Sequence, residues 1–238
     1  MEGLGPLLPR PAKACRQLIQ FLQRESITVA VDFDLYLITD RRQTGSRGLS
    51  TVVEQAVRGG IRAVQLREKD LPTDSFSLLA EQLRRITSLY GARLMINGRV
   101  DIACEVHADG VHLPHNGVSV EDARNIIGSE RLIAVSCHSL ESALAAQNSG
   151  ADFITFGPVF HTPSKAVYGK PLGLERLAEA AAALDIPVFG LGGINESNIA
   201  EVMAAGADGI ALVSAIIAAE QPMAVAETML EILRDNRL

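Results

Sequence analysis

Aromatic side chains make up only 4% of this 238-residue chain, and tryptophan is absent. The 47% of the chain that is hydrophobic is therefore mostly aliphatic or small, which suits buried strands flanked by packed helices. Three cysteines, Cys15, Cys104 and Cys137, have neither the number nor the spacing of a disulfide framework or a metal knuckle, and point to a reducing interior. No apolar run is long enough to span a bilayer, and Pro6, Pro9 and Pro11 interrupt the N-terminus where a signal peptide needs its apolar core. A cytoplasmic protein without a membrane partner is expected. The formal net charge of −6 argues against a nucleic-acid partner while leaving room for a local basic pocket. Also missing is a Gly-x-Gly-x-x-Gly turn after the first strand, which removes the commonest nucleotide signature of an open doubly wound sheet.

What is present is a repeating pattern. Residues 1–34 read as an extension: a Pro/Gly-rich arm over 1–11, an amphipathic helix over 12–25 using Ala14, Leu18 and Leu22, and a short strand or extended segment over 27–33. From Leu35 onward, apolar runs at 35–39, 62–66, 93–97, 109–113, 132–136, 152–156, 186–191 and 208–213 alternate with helical patterns. The runs are continuous rather than alternating, as expected of strands buried on both faces. The segments VHADGVHL, SGADFITFG and AGADGIALV echo one another at unequal spacing, which does not fit a solenoid. The prediction is an α/β fold, a TIM (β/α)8 barrel over 35–238 with an N-terminal helical extension.

In such a barrel the residues just past each strand converge on one mouth. Two of the loops, at Gly192–Gly193 and Val213–Ser214, offer small residues and a helix start whose amides can cradle a phosphate, and Asn195 is read as the opening of the intervening helix. Gln65, Arg67 and Lys69 follow the second strand, where the two cations either neutralise an anion or pair with Glu68 and Asp70. Asn97 ends the third strand and serves either a ligand or its own turn. His138, after the fifth strand, is the candidate general acid/base; His112 is expected to point into structure, with His115 a secondary candidate. The long loop 156–173 reads as a flap carrying Thr162, Ser164 and Lys165 over the mouth.

The motifs LYLITDR, QLREK, INGRVDIA, ADGVHL, VSCHS, GADFITFGPVFHTPSK, IPVFGLGGI and AGADGIALVSAI, in order over about 35–216, together resemble the thiamine phosphate synthase/TenI superfamily. The resemblance implies a TIM barrel, a homo-oligomer with a dimer favoured, and a phosphorylated thiazole metabolite as ligand. It also divides the activity. Synthases join hydroxymethylpyrimidine diphosphate to thiazole phosphate with Mg2+; Gln65, Arg67 and Lys69 resemble the residues that hold the diphosphate, and Lys165 resembles the flap lysine. They usually hold the metal with two aspartates, at positions where this chain has Gly98 and Gly117. Thiazole tautomerases of the TenI branch need no metal and aromatise thiazole carboxylate phosphate by a proton shift, for which His138 matches the acid/base histidine. With both aspartates absent, and with NGRVDIA and the SxHSLE pattern present, the expectation is a tautomerase with no cofactor. A Mg2+-dependent synthase is the alternative, and a non-catalytic thiazole phosphate binder the third reading.

Overall fold

The computed structural model describes residues 29–162 and 170–236. Eight parallel strands close into a barrel: β1 (Leu35–Ile38), β2 (Ala63–Leu66), β3 (Arg93–Asn97), β4 (Gly110–Leu113), β5 (Leu132–Cys137), β6 (Phe153–Phe156), β7 (Val188–Leu191) and β8 (Gly209–Leu212). Each strand pairs with the next, and β8 returns to β1 in register Leu35↔Ile210. Between them run α1 (Leu49–Arg58), α2 (Thr73–Leu89), α3 (Val100–Glu105), α4 (Val120–Ile127), α5 (Leu140–Asn148), α6 (Gly173–Ala183) and α7 (Ile199–Ala204). The short α8 (Ser214–Ile217) and the longer α9 (Pro222–Asp235) complete the chain. No described helix is long and apolar enough to cross a membrane.

The predicted strands are present and several are shorter by one or two residues, because ladder pairing stops where the chain bends into its loops. The helix expected to open at Asn195 starts later, at Ile199, capped at Asn198. Asn195 instead builds the preceding turn: its side-chain oxygen accepts from the Ser197 amide at 3.0 Å, while its own amide donates to Asn198 Oδ1 at 2.8 Å. Ser139 caps α5 in a reciprocal capping box with Ser142. The expected 12–25 helix lies outside the described residues. Residues 29–34 form no strand.

Odd and even positions of the strands separate two cores. Leu37, Val64, Ile96, Val111, Ile133, Ile154 and Ile210 face the helices, whereas Tyr36, Met95, Phe153 and Phe189 fill the barrel interior. Phe33, 6% exposed, plugs the barrel from below, its ring 5.5 Å from those of Phe153 and Phe189. Gly209 is small for a packing reason: a Cβ there would lie 2.6 Å from the Phe189 ring.

The sequence echo has a backbone function. Asp109, Asp152 and Asp208 each stand just before a strand, and each carboxylate accepts the amide of a residue at or near the start of the preceding one: Leu94 at 2.7 Å, Ile133 at 2.6 Å and Val188 at 2.8 Å. Amides at the strand entrances lack a ladder partner on that side, and the aspartates satisfy them. Arg84 and Arg124 hold the first two carboxylates in ion pairs.

Candidate active site

The C-terminal ends of the strands surround a cavity of about 640 Å3. Every predicted site residue within the described segments lines it: Gln65, Arg67 and Lys69, then Asn97 and His138, then Thr162, and after β7 and β8 Gly192, Gly193, Val213 and Ser214. Ser164 and Lys165 lie outside the described residues.

One wall belongs to β2 and its loop. Period-two alternation sends Gln65, Arg67 and Lys69 to the mouth and turns Glu68 and Asp70 away from it. The expected alternative, a pairing of Arg67 or Lys69 with those carboxylates, is not what forms. Glu68, 4% exposed, accepts from Thr39 Oγ1 at 2.8 Å, from the Arg41 amide at 3.0 Å and from Arg41 Nη1 at 3.1 Å. Asp70 is gripped by both Arg41 guanidinium nitrogens at 2.7 Å and by Arg42 at 2.9 Å, which holds its carboxyl well below the usual range. Arg67 and Lys69 consequently form no salt bridge within the described residues. The charge of Arg67, with partial burial, lowers the Lys69 pKa.

A second wall, after β7 and β8, is made of backbone. Gly192 and Gly193 have φ of 101° and 69°, and a Cβ on either would run into the loop after β6, at 2.6 Å from Pro158 and from the His161 carbonyl respectively. That loop is fastened there by Val159 and Phe160 amides bonding to the Leu191 and Gly192 carbonyls at 2.8 and 2.9 Å. The amides of Gly193 and, at the start of α8, Ser214 donate to no described backbone acceptor, so two N–H groups are available to an anion.

Polar residues of the barrel interior form the floor. Gln65 Nε2 donates to Tyr36 Oη at 3.1 Å, Tyr36 meets His112 Nδ1 at 3.3 Å, and His112 Nε2 reaches Ser136 Oγ at 2.8 Å. With the Tyr36 oxygen accepting from Gln65, its own proton goes to His112 Nδ1, and the Nε2 proton goes to Ser136. Burial pushes the His112 pKa down to about 3, aided by the nearby Arg67 charge, so the imidazole is neutral. The sequence reading sent His112 inward but missed as its partners Tyr36 and Thr155, whose Oγ1 lies 3.5 Å from His112 Nε2. Alternation within LYLI and FITF was the available signal.

His138 stands at the rim, where its Nδ1 bonds to the Gly157 carbonyl, leaving Nε2 for a ligand. The His115 ring lies 6.3 Å away, edge-on. Asn97 lines the cavity, and its side-chain amide makes no hydrogen bond to a described residue.

The family model described as thiamine monophosphate synthase matches residues 35–216. The chain belongs to this family. A provisionally named thiamine-phosphate synthase of Geobacter sulfurreducens is 57% identical over 203 residues, covering 85% of this chain and 95% of that protein. The thiamine-phosphate synthase of Roseiflexus sp. (strain RS-1) is 44% identical over 82% of this chain and 83% of its own. Among solved structures, thiamine phosphate pyrophosphorylase from Pyrococcus furiosus is similar with a TM-score of 0.79 and 37% identity, covering 86% of this chain and 96% of that one.

These similarities overturn the expectation that the chain is closer to the tautomerase branch. That expectation rested on short loop motifs, whereas similarity to proteins named as synthases runs through nearly the whole barrel.

The glycines still bear on the metal that family resemblance implies. Gly98 has φ of 69°, and Pro114 stands against both loops: a Cβ would lie 3.7 Å from its ring at Gly98 and 3.0 Å at Gly117, the second too close without a shift. Asp40 is the one carboxylate among the described residues lining the cavity, and its oxygens accept from the Arg42 amide and from Gln43 Nε2. No described group of three or more His, Cys, Asp or Glu side chains is placed to hold an ion. A hard divalent cation prefers several anionic oxygens, and this donor set does not fit one.

Proposed function

We propose that this protein is a thiamine-phosphate synthase, joining hydroxymethylpyrimidine diphosphate to thiazole phosphate. The observation that supports this reading is that two candidate anion-binding groups line one cavity: the amides of Gly193 and Ser214, after β7 and β8, and Arg67 and Lys69, without carboxylate partners among the described residues, after β2. A substrate with a single phosphate uses one such wall; a condensation that brings in a phosphate and expels a diphosphate uses both.

In this reading the thiazole phosphate anchors on Gly192, Gly193, Val213 and Ser214, with its ring nitrogen directed toward the centre. The diphosphate lies against Gln65, Arg67 and Lys69. The ring nitrogen attacks the methylene carbon of the pyrimidine, the C–N bond forms as the C–O bond to diphosphate breaks, and the electron pair leaves on pyrophosphate. Arg67 and Lys69 stabilise the charge that develops there, an arrangement of fixed charge in a partly desolvated mouth. No proton changes hands in this step. His138 therefore holds a ligand through Nε2 rather than carrying a proton, and Asn97 and Thr162 complete the rim. No step is assigned to a metal held by the protein, because the described donor set does not fit one.

The test is formation of thiamine phosphate from the two substrates by purified protein, followed by conversion to fluorescent thiochrome, with and without added Mg2+. Arg67→Ala is expected to lower kcat/KM by about 100-fold, the scale of losing one charge-stabilising donor. Absence of product under both conditions would sink the proposal.

A further inference from the structure

The chemistry of the β2 loop poses a problem of charge. The run from Arg67 to Asp70 alternates two cations with two anions, Arg67-Glu68-Lys69-Asp70, and is neutral as a sequence. Left to themselves, neighbouring carboxylates would compete with any anionic ligand for Arg67 and Lys69. The structure separates the two signs with residues of the β1 loop, 27 to 29 positions away in the chain.

We propose that Arg41 is a positioning residue that keeps the anion-binding wall positive by holding Glu68 and Asp70 away from Arg67 and Lys69. Its guanidinium makes a two-pronged contact with Asp70, both bonds at 2.7 Å, and reaches Glu68 Oε2 at 3.1 Å with the nitrogen that also contacts Asp70 Oδ1. A planar fork with several fixed donors can serve two carboxylates at once, which an ammonium serves less well. Thr39 joins the two loops: its hydroxyl donates to Glu68 at 2.8 Å and accepts the Arg67 amide at 2.9 Å. The same hydroxyl thus ties the backbone that aims Arg67 inward to the carboxylate that is turned outward. Arg41 does not line the cavity, so it acts through its neighbours.

This inference rests on the reading of Arg67 and Lys69 as a diphosphate wall, and the probe is chosen to separate the two. Binding of inorganic pyrophosphate is measured by titration calorimetry on the full chain at low ionic strength. Arg41→Met is expected to weaken binding about tenfold, the order produced by a released charge acting across a solvated surface a few ångströms from the ligand. That loss shrinks in 1 M salt, where the screening length falls to about 3 Å. Adding Asp70→Asn to Arg41→Met restores affinity to within about threefold of the original, since the released group no longer carries charge. A purely structural role for Arg41 would not be rescued by neutralising a carboxylate. Asp70→Asn alone, with Arg41 in place, leaves affinity within about twofold, because that charge is already compensated. The proposal is overturned by unchanged affinity in Arg41→Met, by failure of the double substitution to restore it, or by tenfold tighter binding in Asp70→Asn alone. No pyrophosphate binding by the original chain would overturn the wall itself.

Discussion

At the scale of single residues, chemistry in this barrel is set by what each side chain is prevented from doing. His112 is an ionisable group held neutral beneath the mouth, its nitrogens committed to Tyr36 and Ser136. Because its pKa is depressed in the folded state to about 3, below the ordinary value of 6.5, the unfolded chain binds the extra proton as pH falls. The associated stability is present in full above about pH 6.5 and is lost progressively below it, down to about pH 3. Chemical denaturation between pH 7 and pH 5 should show unfolding free energy falling with acidity, approaching about 1.4 kcal/mol per pH unit from this one group. His112→Gln should flatten that dependence; an unaltered slope would show that the imidazole is not buried and neutral. Cys137 shows the same principle, its buried thiol pushed up to about 11 and so unreactive near neutral pH.

At the scale of elements, the recurring Ala-Asp steps prove to be fasteners between successive strands. Each carboxylate satisfies an amide near the start of the neighbouring strand, and Asp152 is further held by Arg124 at 2.6 Å. Asp152, its side chain 14% exposed, should matter more than Asp208, whose residue lies at the surface. Asp152→Ala is expected to cost about 2 kcal/mol and Asp208→Ala about 1 kcal/mol, read from denaturant midpoints. Pyrophosphate affinity should stay unchanged in both, since these residues lie at the far end of the strands from the mouth. The eight-unit pattern was legible because parallel strands buried on both faces leave continuous apolar runs that composition alone marks. Helix starts were less legible: Asn195 and Asn198 are both residue types that open helices, and α7 begins only after the second, whose side chain bonds back to the Asn195 amide and the Gly193 carbonyl and makes no cap hydrogen bond.

For the whole molecule, closure of the barrel places an aromatic plug below and a polar mouth above. Phe33 precedes the first strand yet belongs to the interior cluster with Tyr36, Phe153 and Phe189. Removing it should open the bottom of the barrel rather than disturb the mouth. Phe33→Ala is expected to destabilise by about 3 kcal/mol or more, with a matching fall in Tm, while the folded variant keeps its pyrophosphate affinity. A fall below about 1 kcal/mol would show that the plug contributes little to packing.

The sequence by itself determined the barrel, the order of its eight units and the residues delivered to its mouth, because each of these depends on local periodicity and on where a strand ends. It also placed the small residues Gly192, Gly193, Val213 and Ser214 at the cavity, since small residues at strand ends are a local feature. It did not determine which of the neighbouring charges at 67–70 would compensate one another, nor that His112 would remain neutral. Those outcomes depend on Arg41, 27 residues from Glu68, and on Tyr36, 76 residues from His112. Electrostatic pairing is decided by distance and burial in space, so only closure of the barrel fixed which cations were left to face a ligand.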